Sequence, residues 1–233
     1  MELFLGIDLG TTYFKAGLFD ENGKLRGLGR QFVKKDTDKS NVEYELPVDV
    51  FWSTLRQCVT EAVHMAQADS KDIRAISYSS QANSFLLLDN NNKPLTPLIL
   101  WPDTRAEEMV PLLAELGTKS NFHEKTGLGI DLSSHSCIAK LLWFQKEQPL
   151  IWSSVKSIMT ISDYLTFELT GQQAGDLSTA SLLALLDVKN GQWWNEALQL
   201  VNINSSQLST LHLTGTLIGD LTIEGAQNIG LPS

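Results

Sequence analysis

Gly6-Ile7-Asp8-Leu9-Gly10-Thr11-Thr12, with Lys15 three residues beyond, is the stretch on which the fold turns. Leu3 to Asp8 has strand character, Tyr13 to Phe19 repeats it, and a third run starts at Leu25 and continues to about Phe32. Gly10-Thr11-Thr12 and Asn22-Gly23 separate the runs with turn residues, which predicts a three-stranded antiparallel meander. At the first turn Gly10 lets the backbone pass close to an anion, while successive amides and two threonine hydroxyls can point at phosphate oxygens. Asp8, at the end of the first strand, can hold magnesium directly or through water. Lys15 can meet charge developing on a transferred group. No Gly-Lys-Ser/Thr opens a helix here, so this is not a Walker loop. The plain structural alternative is a hairpin in which Gly10 only turns the chain and Asp8 only caps it.

Downstream the period changes. Phe51, Leu55, Cys58, Val59, Ala62, Val63 and Ala66 recur at helical spacing, and Ile73–Ser79 and Ser84–Leu88 follow as strands, the first expected to be buried. Thr104 and Glu107 have capping-box spacing ahead of an apolar face, Met109, Leu112, Leu113 and Leu116, that stops at Gly117. Ile138, Leu141, Leu142 and Gln145 form a helix running toward Pro149. Lys156–Ile161 reads as a strand, Ser162 as the cap of a helix stopped by Gly171, and Trp194, Leu198 and Val201 as a further stripe. Such stripes are read as core. A meander followed by mixed strands and helices is an α/β domain with a mixed sheet flanked by helices.

The 233 residues, 42% hydrophobic, suffice for a substantial core. Cys58 and Cys137 are isolated in sequence and read as reduced thiols packed in helices. A net charge of -9 argues against a nucleic-acid partner. Lys34, Lys35 and Lys39, interleaved with Asp36 and Asp38, read as a solvated loop. No basic leader and no membrane-length apolar run occurs, so a cytoplasmic location without membrane contact is expected.

The phosphate turn resembles the first phosphate motif of the actin, sugar kinase and heat-shock chaperone superfamily. Further matches follow in order: Ser79-Ser80-Gln81-Ala82-Asn83, Leu98-Ile99-Leu100-Trp101-Pro102-Asp103-Thr104-Arg105, Lys125-Thr126-Gly127, Ala139-Lys140-Leu141-Leu142-Trp143, Ser162-Asp163-Tyr164-Leu165 and Asp176 to Ser181. Over nearly its whole length the chain is similar to the FGGY family of carbohydrate kinases. The resemblance implies an actin-like (ribonuclease H-like) ATPase lobe, with residues 1–233 forming the N-terminal lobe of a two-lobed kinase. It also implies ATP and Mg2+ as cofactors, a small sugar as substrate, and leaves a homodimer of the full-length protein open.

In that reading Asp8 is catalytic as the metal ligand, and Gly10, Thr11, Thr12 and Lys15 hold the nucleotide phosphates. Gln81, Ala82 through its backbone, Asn83, Trp101 as an apolar wall, Asp103, Arg105 and His135 meet the sugar. Plain alternatives stand beside three of these: an internal Asp103–Arg105 pair at a helix start, and a solvated loop histidine at position 135. Asp163 and Asp176 read as helix-start and turn residues. Where xylulose kinases carry Met-His this chain has Ala82-Asn83, and its serines around Gln81 are also similar to gluconate kinases. A ketopentose such as xylulose is favoured, with gluconate or a polyol as alternatives. The family's proton-abstracting Asp usually follows a Gly-Leu-Pro stretch. Gly230-Leu231-Pro232-Ser233 closes this sequence. That Asp is therefore expected beyond a cut at Ser233, with the isolated lobe nearly inert. A chaperone-type ATPase and a non-catalytic sugar-responsive regulator remain as readings of another class.

Overall fold

Alternation of apolar and polar residues, cut by short turns, lays down the first sheet. The structure, a computed structural model, describes residues 1–37, 41–119 and 121–231. Strands β1 (Leu3–Leu9), β2 (Tyr13–Asp20) and β3 (Leu25–Phe32) form the expected antiparallel meander. Leu3, Leu5, Ile7 and Leu9 all point to one buried side. A 19-residue helix, α1 (Val48–Ala66), covers that face with Phe51, Leu55, Cys58, Val59 and Ala62. The close approach depends on glycines in β3. A Cβ on Gly29 would lie 1.9 Å from the Cys58 carbonyl oxygen, and one on Gly27 2.0 Å from that of Ala62.

Two further short strands, β4 (Asp36–Thr37) and β5 (Tyr44–Leu46), precede α1. The chain then adds β6 (Ile73–Ser80) parallel to β1, giving the order β3-β2-β1-β6. The expectation that β6 is buried is corrected here: Arg74, Ala75, Ser77 and Ser79 are exposed and Ile73, Ile76 and Tyr78 only half-buried. Among the described residues β6 pairs on one side only, with β1, and an edge strand has one flank without a neighbour to cover it.

Strand β7 (Phe85–Leu88) starts a second sheet with β8 (Leu98–Ile99) and, later, β9 (Ser157–Thr160), in the order β4-β5-β8-β7-β9. Its continuous apolar run reflects burial on both faces. Leu86 and Leu88 enter the core under the first sheet, while Phe85 and Leu87 enter a second core with helix α2 (Cys137–Glu147) and the Trp194, Leu198, Val201 stripe. Both cysteines are buried free thiols, in α1 and α2.

Two capping expectations are corrected. Glu107–Leu113 is a 3-10 helix whose N-cap, Ala106, makes no side-chain cap bond, and Thr104 instead donates from its backbone N–H to the Val42 carbonyl at 2.9 Å. Pro111, inside that segment, has no N–H to sustain an α pattern. Helix α3 (Ile161–Thr170) is capped by Thr160, not Ser162: the Thr160 hydroxyl accepts from the Asp163 N–H at 3.1 Å, and the Asp163 carboxylate accepts from the Thr160 N–H at 3.4 Å. Ser162 lies one residue inside, and Gly171 stops the helix at φ 73° as expected. Asp176 accepts from the Ser178 and Thr179 amides, the turn role read for it. Of the interleaved lysine loop, Asp38 and Lys39 lie outside the described residues, as do Pro232 and Ser233 at the close of the sequence.

No helix among the described residues is long and apolar enough to cross a membrane.

Candidate functional site

The β1–β2 turn presents Asp8, Gly10, Thr11, Thr12 and Lys15. A Cβ at Gly10 would stand 2.7 Å from the Tyr13 carbonyl oxygen, so a side chain is excluded there and the turn's backbone stays bare toward an anion. Asp8 and Lys15 face each other across β1 and β2, with Oδ2 and Nζ 2.8 Å apart and side chains 42% and 45% exposed. Thr12 is exposed, and its carbonyl accepts from the Val33 N–H. These groups fit a nucleotide phosphate. For magnesium the fit is narrower: no cluster of three or more His, Cys, Asp or Glu occurs among the described residues. An ion here would take one carboxylate, Asp8, with phosphate oxygens and water completing its shell, which suits magnesium's reluctance to dehydrate.

The loop leaving β6 meets this turn because the Gln81 N–H donates to the Leu9 carbonyl at 2.9 Å, extending the β1–β6 pairing by one residue. Gln81 Oε1 then accepts from the Thr11 hydroxyl at 3.3 Å and from the Ser84 hydroxyl at 3.2 Å. Ser84 Oγ accepts from the Trp101 N–H at 3.0 Å, and the Trp101 indole N–H donates to Thr11 Oγ1 at 2.9 Å. Thr11, Gln81, Ser84 and Trp101 thus close a ring of hydrogen bonds across ninety residues of sequence. Trp101 is 43% exposed, and Gln81 Nε2 and Ser80 Oγ are buried without a hydrogen-bond partner.

Asn83, in the left-handed region at φ 58°, ties the same loop to α2. Its amide donates to the His135 carbonyl, and its Oδ1 accepts from the Cys137 N–H at 2.9 Å. His135 is therefore held next to the loop by its backbone, with its side chain exposed. Ala82, half-buried, sits between Gln81 and Asn83.

Asp103 and Arg105 are placed differently. Asp103 is fully buried. Its oxygens accept from the Tyr44 N–H at 2.8 Å and from Arg105 Nε at 3.0 Å and Nη2 at 2.7 Å, and Arg105 also reaches Glu45 at 2.7 Å. This is the internal pair weighed above, and a sugar contact from either residue would require it to open. A groove of about 500 Å³ beside Arg105 and Trp143 is rimmed by Glu107, Glu108 and Glu147, a setting that repels phosphate, and none of the phosphate-turn residues lines it.

Lys140 belongs to the Ala139-Lys140-Leu141-Leu142-Trp143 match. It is fully buried in α2, and its ammonium donates to the Leu100 carbonyl at 3.0 Å and the Trp101 carbonyl at 3.4 Å. Burial pulls it down to about 8, against the upward pull of Asp103. The signal was legible: one lysine within Cys137-Ile138-Ala139-Lys140-Leu141-Leu142, a run apolar all round, has to find acceptors inside the protein.

Comparison with known proteins supplies the family. The model of the N-terminal domain of the FGGY family of carbohydrate kinases matches residues 3–233. A xylulose kinase of Lactococcus lactis is 34% identical over 213 residues, covering 91% of this chain and 41% of the relative. An autoinducer-2 kinase of Klebsiella pneumoniae is 29% identical over 241 residues, covering 99% and 43%. The crystal structure of a gluconate kinase from Lactobacillus acidophilus superposes with a TM-score of 0.88 at 25% identity, covering 100% of this chain and 46% of that one. The chain therefore spans a little under half the length of these proteins, and its fold is the actin-like one. It belongs to the FGGY family of carbohydrate kinases.

Proposed function

We propose that this chain is the sugar-binding and first-phosphate lobe of an ATP-dependent kinase that phosphorylates a hydroxyl of a linear polyhydroxy compound. The observation that carries the reading is the junction of two chemistries at one place. A bare-backbone turn flanked by Asp8 and Lys15 adjoins a loop whose Gln81, Asn83 and Trp101 offer donors, acceptors and an apolar wall. In this assignment the Gly10-Thr11-Thr12 turn binds phosphate oxygens of ATP, Asp8 orients Mg2+, and Lys15 leaves its partner to face the transferred group. The magnesium ion supplies charge neutralisation between the phosphates. Gln81, Asn83 and the backbone of Ala82 read the sugar, Trp101 walls it, and His135 closes the pocket's rim. Asp103 and Arg105 hold the Trp101 segment in place.

Xylulose is the favoured substrate, with gluconate or a polyol as the alternatives. A second lobe supplies the adenosine site and the proton-abstracting carboxylate, so the isolated lobe turns over negligibly. The test is coupled ADP release from magnesium ATP over a panel of ketoses, polyols and aldonic acids. It is run on this chain and on the gene product read to its own stop codon. Turnover of one panel member by the longer product alone is the expected result. Turnover by this chain alone would place the base within its own residues, and no turnover by either would remove the kinase assignment.

A further inference from the structure

Thr11 stands where the two halves of the site touch, and its hydroxyl has one proton to give and two lone pairs with which to accept. One lone pair is taken by the Trp101 indole N–H at 2.9 Å. The proton goes to Gln81 Oε1 at 3.3 Å, long for a bond between oxygens. We propose that this hydrogen bond changes acceptor: the Thr11 O–H turns from Gln81 Oε1 to a phosphate oxygen in the Gly10-Thr11-Thr12 turn, the freed Gln81 amide turns to a sugar hydroxyl, and the two ligands tighten each other.

The inference rests on the kinase reading and names the coupling within that site. A phosphate oxygen is an ionised acceptor, and hydrogen bonds to ionised groups are roughly twice as strong as neutral ones, so the exchange runs toward phosphate. Gln81 Oε1 then keeps only the Ser84 hydroxyl at 3.2 Å and has room for one more donor. Gln81 Nε2, buried without a partner, is a donor that a sugar oxygen would satisfy. Trp101 does not let go, because Thr11 accepts from the indole whichever way its proton points. The wall is thus fixed to the phosphate turn in both states while the reading group is switched. Coupling is reciprocal, and one hydrogen bond gained corresponds to about a three- to tenfold mutual tightening.

The experiment uses the 233-residue chain labelled with 15N-tryptophan. The Trp101 indole resonance, one of six, is assigned by Trp101→Phe, and magnesium pyrophosphate is the probe. In the unsubstituted chain that resonance moves saturably as the hydroxyl accepting from it is polarised. In Thr11→Val it starts displaced and stays still, and Thr11→Ser restores the response. A second arm titrates xylulose, gluconate and ribitol with and without saturating pyrophosphate. The expected result is a three- to tenfold tightening that Thr11→Val abolishes. An unresponsive indole, a Thr11→Val indole identical to the unsubstituted one, or a sugar affinity indifferent to pyrophosphate overturns the coupling while leaving the kinase reading intact. A responsive indole with no sugar bound under either condition overturns the kinase reading of the pocket, and the coupling with it.

Discussion

Two carboxylate–cation pairs in this lobe meet at nearly the same distance and differ in burial and in the number of bonds they make. Asp8 and Lys15 meet once, at 2.8 Å, on the open face of the sheet with over two-fifths of each side chain in water. Asp103 and Arg105 meet through several bonds, with side chains 0% and 6% exposed and Glu45 and the Tyr44 amide completing the set. An exposed pair is worth little, so its members can change partners at small cost. A buried pair is costly to break, because removing one member strands the other charge away from water. The first is suited to exchange its partner for a ligand. The second is suited to hold the Trp101 segment against β5.

The largest effect expected of this contrast is on stability. Arg105→Ala should cost about 3–5 kcal/mol, read as a fall in the urea midpoint, since it leaves Asp103 buried and uncompensated. A loss under 1 kcal/mol would mean that the pair opens readily and can serve a ligand.

The next effect comes from Lys140, the third charge in the buried region. The unfolded chain keeps its proton on Lys140 to about 10.5, while the folded protein releases it above about 8. Between these values the unfolded state binds more protons on Lys140, which alone raises stability by about 1 kcal/mol from pH 8 to 9; the two buried thiols offset roughly 0.7 kcal/mol of it over the same interval, leaving a net rise of about 0.3 kcal/mol. Above pH 9 the trend reverses. Burial holds the Cys58 and Cys137 thiols up to about 11 and about 12 in the folded protein, against 9.0 for an exposed thiol, so the unfolded chain ionises first. Urea midpoints at pH 8 and 9 under reducing conditions check this, and Lys140→Met should turn the small rise of the unsubstituted chain into a fall of roughly 0.7 kcal/mol. A stability that falls from pH 8 to 9 would show that Lys140 stays charged in its burial.

The smallest effect marks the open pair. Asp8→Asn and Lys15→Met should each leave stability within about 0.5 kcal/mol of the unsubstituted chain. Both should weaken magnesium pyrophosphate binding by tenfold or more. Stability lost without any change in binding would reverse the roles of the two pairs.

What the sequence made legible follows from how local each signal is. The meander could be read because alternation and turn residues act between neighbours, and the β1–β2 turn because Gly10 and its threonines are adjacent. The edge position of β6 could not, since the number of its neighbours is a property of the assembled sheet. Thr104 had the spacing of a cap, yet its amide is taken by Val42, sixty-two residues away. Ser162 carries the cap signal in sequence, and the strand end at Thr160 moves the cap two residues earlier. The bond from Trp101 to Thr11 and the burial of Asp103 depend likewise on contacts that no local pattern encodes.

The most direct measurement is calorimetric titration of this chain with the ketose, polyol and aldonate panel, repeated with Gln81→Ala and Trp101→Ala. The account predicts that one class of panel member binds the lobe unaided. It also predicts that either substitution abolishes binding with the urea midpoint shifted by no more than about 1 kcal/mol equivalent. Binding that survives both substitutions, or no binding by any member, would contradict the placement of a sugar pocket beside the phosphate turn.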